Sequence, residues 1–196
     1  MNNKVKFNIC NCHYALQKVA EDGKLSFETP VAMPGAVFLA LDPNGEPESF
    51  YADGIEYYII ANNMGYDGDL ELALIPESFR TEVLKEQADT NEVLVENANS
   101  ETGAFALLFE FDGDVRKIRH VLYNCSASRP KIEGKTNEEN REVQTESLTI
   151  KASPMADGCV KAKTGNQTAK VTYDGWYSEV YLPVPKSEEE NEEGQG

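Results

Sequence analysis

The stretch "FALLFEFDGDVRKIRHVLYNCSASRP", Phe105 to Pro130, decides the fold class. Side chains alternate sides along a strand, so Phe105, Leu107, Phe109 and Phe111 point one way, and Ala106 and Leu108 the other. The first half is therefore apolar on both faces. Asp112-Gly113 is a turn signal, and the second half reads as a return strand carrying Arg116, Lys117, Arg119 and His120. Two questions follow. Something must cover both faces, and the cations must face something in a chain of net charge −16.

Working outward, strand signals recur on both sides. "VKFNICNCHYA" alternates Val5, Phe7 and Ile9 against Lys6, Asn8 and Cys10; if it is a strand, Cys10 and Cys12 share a face. "EDGK" is a turn, and "LSFE" a short return strand. "GAVFLAL" ends at the turn "DPNGEP". "SFYADGIEYYIIA" is a hairpin about Asp53-Gly54. "NNMGYDGD" reads as a loop. "DLELALI" sets Leu70, Leu72 and Leu74 on one face and Asp69, Glu71 and Ala73 on the other. One helix is predicted: "PESFRTEVLKEQAD" opens with Pro76 and Glu77, suited to a first turn, and Phe79, Val83 and Leu84 form a face that packs on a sheet. "NEVLVEN" is a short strand. "VQTESLTIKASP" alternates with Leu148, Ile150 and Ala152 inward, and "CVKAK" and "WYSEVYLP" are the last strand-like pieces. The polar run Lys131–Val143 is a long loop.

Strands thus outnumber the helix several to one, with turn signals about every ten residues, as in sandwiches and barrels. The expected class is mainly β: a β-sandwich or flattened, partly closed barrel with one flanking α-helix. At 196 residues and 40% hydrophobic, the chain has material for one domain with a core. Residues 1–185 are expected to form it. Residues 186–196, "KSEEENEEGQG", are expected to be a disordered acidic tail.

Setting aside that tail, with Lys186 against five Glu, the remaining residues still carry about −12. An acidic body has no excess of cations to displace counterions from duplex phosphate, which disfavours tight nucleic-acid binding. No apolar run is long enough to cross a bilayer as a helix. "MNNKVKFNIC" lacks an apolar signal segment, so Cys10, Cys12, Cys125 and Cys159 are expected to be reduced thiols.

Motifs for chemistry are sparse. There is no Walker-type phosphate loop and no dinucleotide fingerprint. Cys12-His13 has no second Cys/His pair at zinc spacing. "DGDL" and "FDGDV" lack the ligands that complete a calcium loop. Of two histidines, His13 and His120, the second sits among cations in a strand and reads as structural. No cofactor and no metal is expected. Two functional alternatives stay open: a carbohydrate-binding sandwich that stacks sugar on Trp176, Tyr177 and Tyr181, and a small hydrolase built on a carboxylate pair that no motif marks.

Taken in order, "NCHYA", "PGAVFLALDPNGEPESFYADGIEYY", "GYDGDLELALIPESFRTEVL", "FALLFEFDGDVRKIRHVLYNCSASRP" and "EGKTNEENREVQTESLTIKASP" resemble the major tail proteins of long-tailed bacteriophages and their prophages. The resemblance runs on to "WYSEVYLP", nearly the whole chain, and leaves out the acidic tail. It implies a non-enzymatic tail-tube protein with a β-sandwich or flattened-barrel fold. Such subunits form hexameric rings that stack into a hollow tube around a tape-measure protein, bounded by tail-end or terminator proteins. DNA passes through the lumen without specific binding. The implied location is the tail of the virion, assembled in the host bacterial cytoplasm, with no membrane involved.

In that frame a neighbouring subunit is expected to cover the second apolar face of Phe105–Phe111. Arg116, Lys117 and Arg119 are expected to meet acidic loops of an adjacent subunit or ring. The polar loop, with Gly134, Lys135, Asn137 and Arg141, is a candidate stacking arm, and Asp69 and Glu71 are candidate lumen-lining residues. An acidic lumen wall would repel the polyanion over roughly one Debye length, ~8 Å at physiological salt.

Overall fold

The computed structural model describes residues 2–19, 25–137 and 140–184. The turn "EDGK" and the acidic tail lie outside them, as do Glu138 and Glu139 within the polar loop. In chain order the strands are β1 (Lys6–Val19), β2 (Leu25–Phe27), β3 (Val31–Ala32), β4 (Ala36–Asn44), β5 (Glu48–Ala52), β6 (Ile55–Ile60) and β7 (Gly65–Leu72). After helix α1 (Glu77–Glu82) come β8 (Gln87–Ala88), β9 (Leu94–Val95), β10 (Phe105–Gly113), β11 (Ile118–Ala127), β12 (Glu146–Ala152) and β13 (Lys161–Lys163). Helix α2 (Lys170–Asp174) and a 3₁₀ turn, Gly175–Tyr177, follow. The fold is mainly β.

One antiparallel sheet organises the chain in the order β2-β1-β10-β11-β12-β7-β4, with β3 added to β1 and β13 to β11. The sheet curls until β4 returns beside β1. Its inner face encloses a core of Tyr14, Leu70, Leu72, Phe105, Leu107, Leu122, Leu148 and Ile150. Helix α1 packs on that core through Phe79, which meets Tyr14 and Phe105 edge-on, with ring centroids 5.2 and 5.4 Å away. Arg80 ties the helix to β12 through Glu146 at 2.7 Å. The helix is one and a half turns long; its predicted apolar residues Val83 and Leu84 are buried just beyond its end.

The strand read first is the centre of the molecule. Phe105 to Glu110 are all buried. Phe105, Leu107 and Phe109 enter the inner core, while Ala106 and Leu108 join a second cluster with Ala15, Val121, Tyr123, Met155 and Trp176. This second cluster corrects the expectation that a neighbouring subunit covers that face: the chain's own C-terminal segment covers it. The segment was expected to be a strand, "WYSEVYLP", but Gly175–Tyr177 is a 3₁₀ turn. It is pinned by Trp176 Nε1, which donates to the His120 carbonyl at 3.3 Å, and by the Tyr123 hydroxyl, which donates to the Tyr181 carbonyl at 2.7 Å.

Two bulges set which residues reach which face. Asn11 has φ of 56°, and the β1–β10 register slips there. The extra residue turns Cys10 and Cys12 to opposite faces, correcting the shared face expected from their spacing. Cys12 enters the inner core, whereas Cys10 lies beside Glu110. Asn124, at φ of 42°, makes the second bulge, and it divides the edge of β11 between two partners. His120–Leu122 pair with β13, and Cys125–Ala127 with β12. Asn is among the few non-glycine residues that adopt this left-handed conformation readily.

"GYDGD" is strand, not loop. Gly68 sits in mid-strand because a Cβ there would lie 1.9 Å from the Ala40 carbonyl oxygen of β4. The glycine read as a loop signal is a close-approach residue.

Candidate functional site

Four regions are candidates for function, three of them holding the residues singled out by the sequence. The first is the hairpin β5–β6. Asp53 and Gly54 both have positive φ, 52° and 77°, as a two-residue primed turn requires. The hairpin forms its own two-stranded sheet and does not join the main one. All six residues of β6 are exposed, on both faces. Phe50, Tyr51, Ile55, Tyr57, Tyr58, Ile59 and Ile60 are large apolar residues left in solvent; Tyr57 is 69% exposed. Contiguous apolar surface on this scale marks an interaction site. The hairpin itself is legible in the sequence, but no motif in it points to a role. The available signal was its two-sided apolar pattern, the same one that marks Phe105–Phe111.

Charge sharpens the picture. From Leu25 to Phe79 there is no Lys or Arg, against ten Asp and Glu. The hairpin lies in the middle of this stretch and carries Glu48, Asp53 and Glu56.

The second region is the outer face of β12–β7–β4. Leu70 and Leu72 are buried, so Asp67, Asp69 and Glu71 point outward, as the alternation predicts. Asp69 accepts from the Thr149 hydroxyl at 2.8 Å, and Glu71 from the Thr145 hydroxyl. Asp42 of β4 stands opposite Asp67. The lumen candidates Asp69 and Glu71 thus belong to a sheet face rich in acids, with Lys151 of β12 opposite Asp67 as its base. Leu74, expected on the face of Leu70 and Leu72, is exposed because the strand ends at Leu72.

The third region answers the question of the cations. Glu110 is 2% exposed, on the same side of β10 as Leu108. It accepts from Lys117 Nζ at 2.7 Å, from Arg119 Nε at 3.1 Å and from the Tyr177 hydroxyl at 3.3 Å. Lys117 also lies 3.2 Å from Asp112. The Arg119 guanidinium sits 3.9 Å from the Tyr173 ring centre and donates to the Tyr173 carbonyl; Arg116 lies 4.0 Å from the same ring. The acid expected from an adjacent subunit is therefore Glu110 of the same chain for Lys117 and Arg119. Glu110 stands directly opposite Arg119 across the hairpin. Hydrogen bonding to Glu110 pushes the Lys117 pKa up. Burial, and then the charge of Glu110, pushes Tyr177 up. The knot fastens the C-terminal segment to β10–β11. Trp176 itself is 2% exposed and stacks on Tyr181 with centroids 5.5 Å apart. Its ring is core, which removes it as a sugar-stacking platform.

The fourth region is the loop 131–143. Lys135 bonds through its backbone N–H and carbonyl to the Gln144 side chain at 2.9 and 2.6 Å, and Asn137 Oδ1 accepts from Glu142 N at 3.3 Å. Gly134, Lys135, Asn137 and Arg141 are all exposed, as is Ile132. They do not converge with the Arg119 cluster.

The thiols are free, and burial pushes Cys12 and Cys125 up to about 12, so neither is a nucleophile in the resting fold. Among the described residues no group of His, Cys, Asp and Glu has a metal-binding arrangement.

No family model matches the chain, and no curated protein matches it. Among solved structures it is similar to a chain of the cryo-EM structure of the anti-feeding prophage baseplate, 6-fold symmetrised. The two share 11% identity over 85% of this chain and 99% of that one, at a TM-score of 0.48. That is a loose likeness of shape, and the functional reading rests on the chain's own residues.

Proposed function

We propose that this chain is a non-enzymatic structural subunit that assembles with copies of itself into rings, and through stacked rings into the tube of a phage-type tail. One observation carries the reading: the β5–β6 hairpin, apolar on both faces and outside the main sheet. Fully burying a large apolar side chain is worth about 1.5–3 kcal/mol. Seven partly exposed ones supply on the order of 10 kcal/mol, enough to meet the roughly 4–15 kcal/mol lost on association only when they act together. Such a surface is one for another molecule to cover, and a second copy of the chain is the occupant this reading assigns to it. The ordered resemblance of the sequence to major tail proteins supports the same reading.

Within it, Asp69 and Glu71 face a lumen through which DNA passes without being held. The loop 131–143 is a stacking arm, and tape-measure and terminator proteins are the partners inside the virion tail. Electron microscopy and sedimentation of purified protein at rising concentration test the proposal. Rings or tubes are expected. A monomer that persists at the highest concentration overturns it. Deleting Gly134–Arg141 is expected to leave rings that do not stack.

A further inference from the structure

The inner core has an opening. Between β1, β4 and β7 on one side and β10, β11 and β13 on the other lies a cavity of about 270 Å³, floored by Phe109, Phe111, Leu39 and Leu41. It exists because β11 pairs with short β13, rather than β12, along His120–Leu122. His120 lies in its wall, stacked on Phe109 with ring planes 3° apart. Two lysines stand at the cavity. Lys6 Nζ lies 4.5 Å from the Phe111 ring centre, and Lys161 Nζ lies 4.2 Å from that of Tyr66 and donates to its hydroxyl.

Among the described residues Lys6, Lys161 and the nearby Lys163 form no ion pair, so their charges are free to meet an acid from outside. Their field is felt locally. Burial first, then Lys163, Lys161 and Lys6, push His120 down to about 4, leaving its ring uncharged at physiological pH. The site is thus an aromatic-floored cavity with uncompensated positive charge at its rim. It is smaller than the roughly 300–1,000 Å³ of small-molecule sites, and suits a single side chain from a protein surface. A complementary surface must place an aromatic ring beside carboxylates. The stretch "DGIEYY", Asp53–Tyr58, does so at the exposed end of the hairpin, in a region with no base.

We propose that the tip of the β5–β6 hairpin of one copy docks into the Lys6–Lys161 cavity of the next, with Tyr57 or Tyr58 on the aromatic floor and Asp53 and Glu56 against the two lysines. The inference rests on the self-assembly reading and names its contact. Donor and acceptor are different patches, so the contact is heterologous and runs head to tail, the geometry that builds rings or filaments.

Charge reversal in two separate variants tests it. Lys6→Glu with Lys161→Glu reverses the acceptor; Asp53→Lys with Glu56→Lys reverses the tip. Each variant alone is expected to raise the concentration at which oligomers appear in sedimentation velocity at least tenfold. An equimolar mixture is expected to assemble again, because each tip now meets an acceptor of opposite charge; misfolded variants would not be rescued by mixing. Wild-type assembly with either variant unimpaired, or two impaired variants that stay impaired when mixed, overturns this contact and leaves self-assembly standing. A wild-type chain that never associates overturns both.

Discussion

The hairpins β10–β11 and β5–β6 start from the same local chemistry. Each carries apolar residues on both faces and an Asp-Gly pair at or near its turn. Each is antiparallel, with its cross-strand register shifted once. One is buried on both sides through Phe105–Glu110, whereas the other is exposed on both sides through Ile55–Ile60. The difference lies in what the rest of the chain brings to them. β10 receives β1 and β11 at its edges, the curled sheet on one face and Trp176 with its neighbours on the other. β5–β6 receives none of these. Two-sided hydrophobicity therefore predicts that a strand will be covered, not that its own chain covers it.

The largest effect is expected where cover is complete. Trp176→Ala removes the ring that closes the second face and should cost about 3–5 kcal/mol in chemical denaturation followed by far-UV circular dichroism. A change near zero would mean the C-terminal segment does not hold that face. Next comes Glu110→Ala, which leaves Arg119 and Lys117 without their buried acid and should cost about 3 kcal/mol. Lys117 remains partly exposed and can be re-solvated, so the lower end of the range applies.

A pH-dependent effect of similar or smaller size is expected at His120. It takes up a proton near 6.5 in the unfolded chain but only near 4 in the folded one. Between those values the unfolded state binds more protons, so this contribution is intact above 6.5 and is lost as pH falls toward 4. Wild type should lose roughly 2–3 kcal/mol more than His120→Phe across that window. Equal losses would remove the burial argument. The smallest stability change is expected at the uncovered hairpin. Tyr57→Ser with Tyr58→Ser should alter monomer stability by under about 0.5 kcal/mol while abolishing higher oligomers. A large loss of stability would make the hairpin part of the fold rather than a surface offered to another molecule.

Much of the fold was legible because alternation is a local rule. It gave the two faces of β10, the inward Leu148, Ile150 and Ala152 of β12, the outward Asp69 and Glu71, and the Asp53-Gly54 turn. What escaped it was non-local. Gly68 looked like a loop residue because its role is set by a carbonyl on another strand. Cys10 and Cys12 looked like neighbours on one face because the bulge at Asn11 depends on pairing with β10. Trp176 and its tyrosines looked like a strand, since their apolar spacing does not distinguish a strand from a short turn laid across a sheet. The site was less legible for the same reason. Lys117 and Arg119 were rightly seen as cations needing an acid, but the register that sets Arg119 opposite Glu110 appears only once the hairpin is closed.

The piece that seals the second face of β10 is encoded more than sixty residues downstream of it, at Trp176 and Tyr181. During translation Leu108 and Ala106 emerge long before their cover, whereas the inner core has its last strand once Leu148 and Ile150 of β12 are made, well ahead of Trp176. The nascent chain therefore passes through a stage with one core closed and one greasy plane bare. Any product that terminates early, before Gly175, would be left at that stage and handed to chaperones or proteases. Full-length synthesis thus acts as a checkpoint that keeps incomplete copies out of whatever the finished ones build.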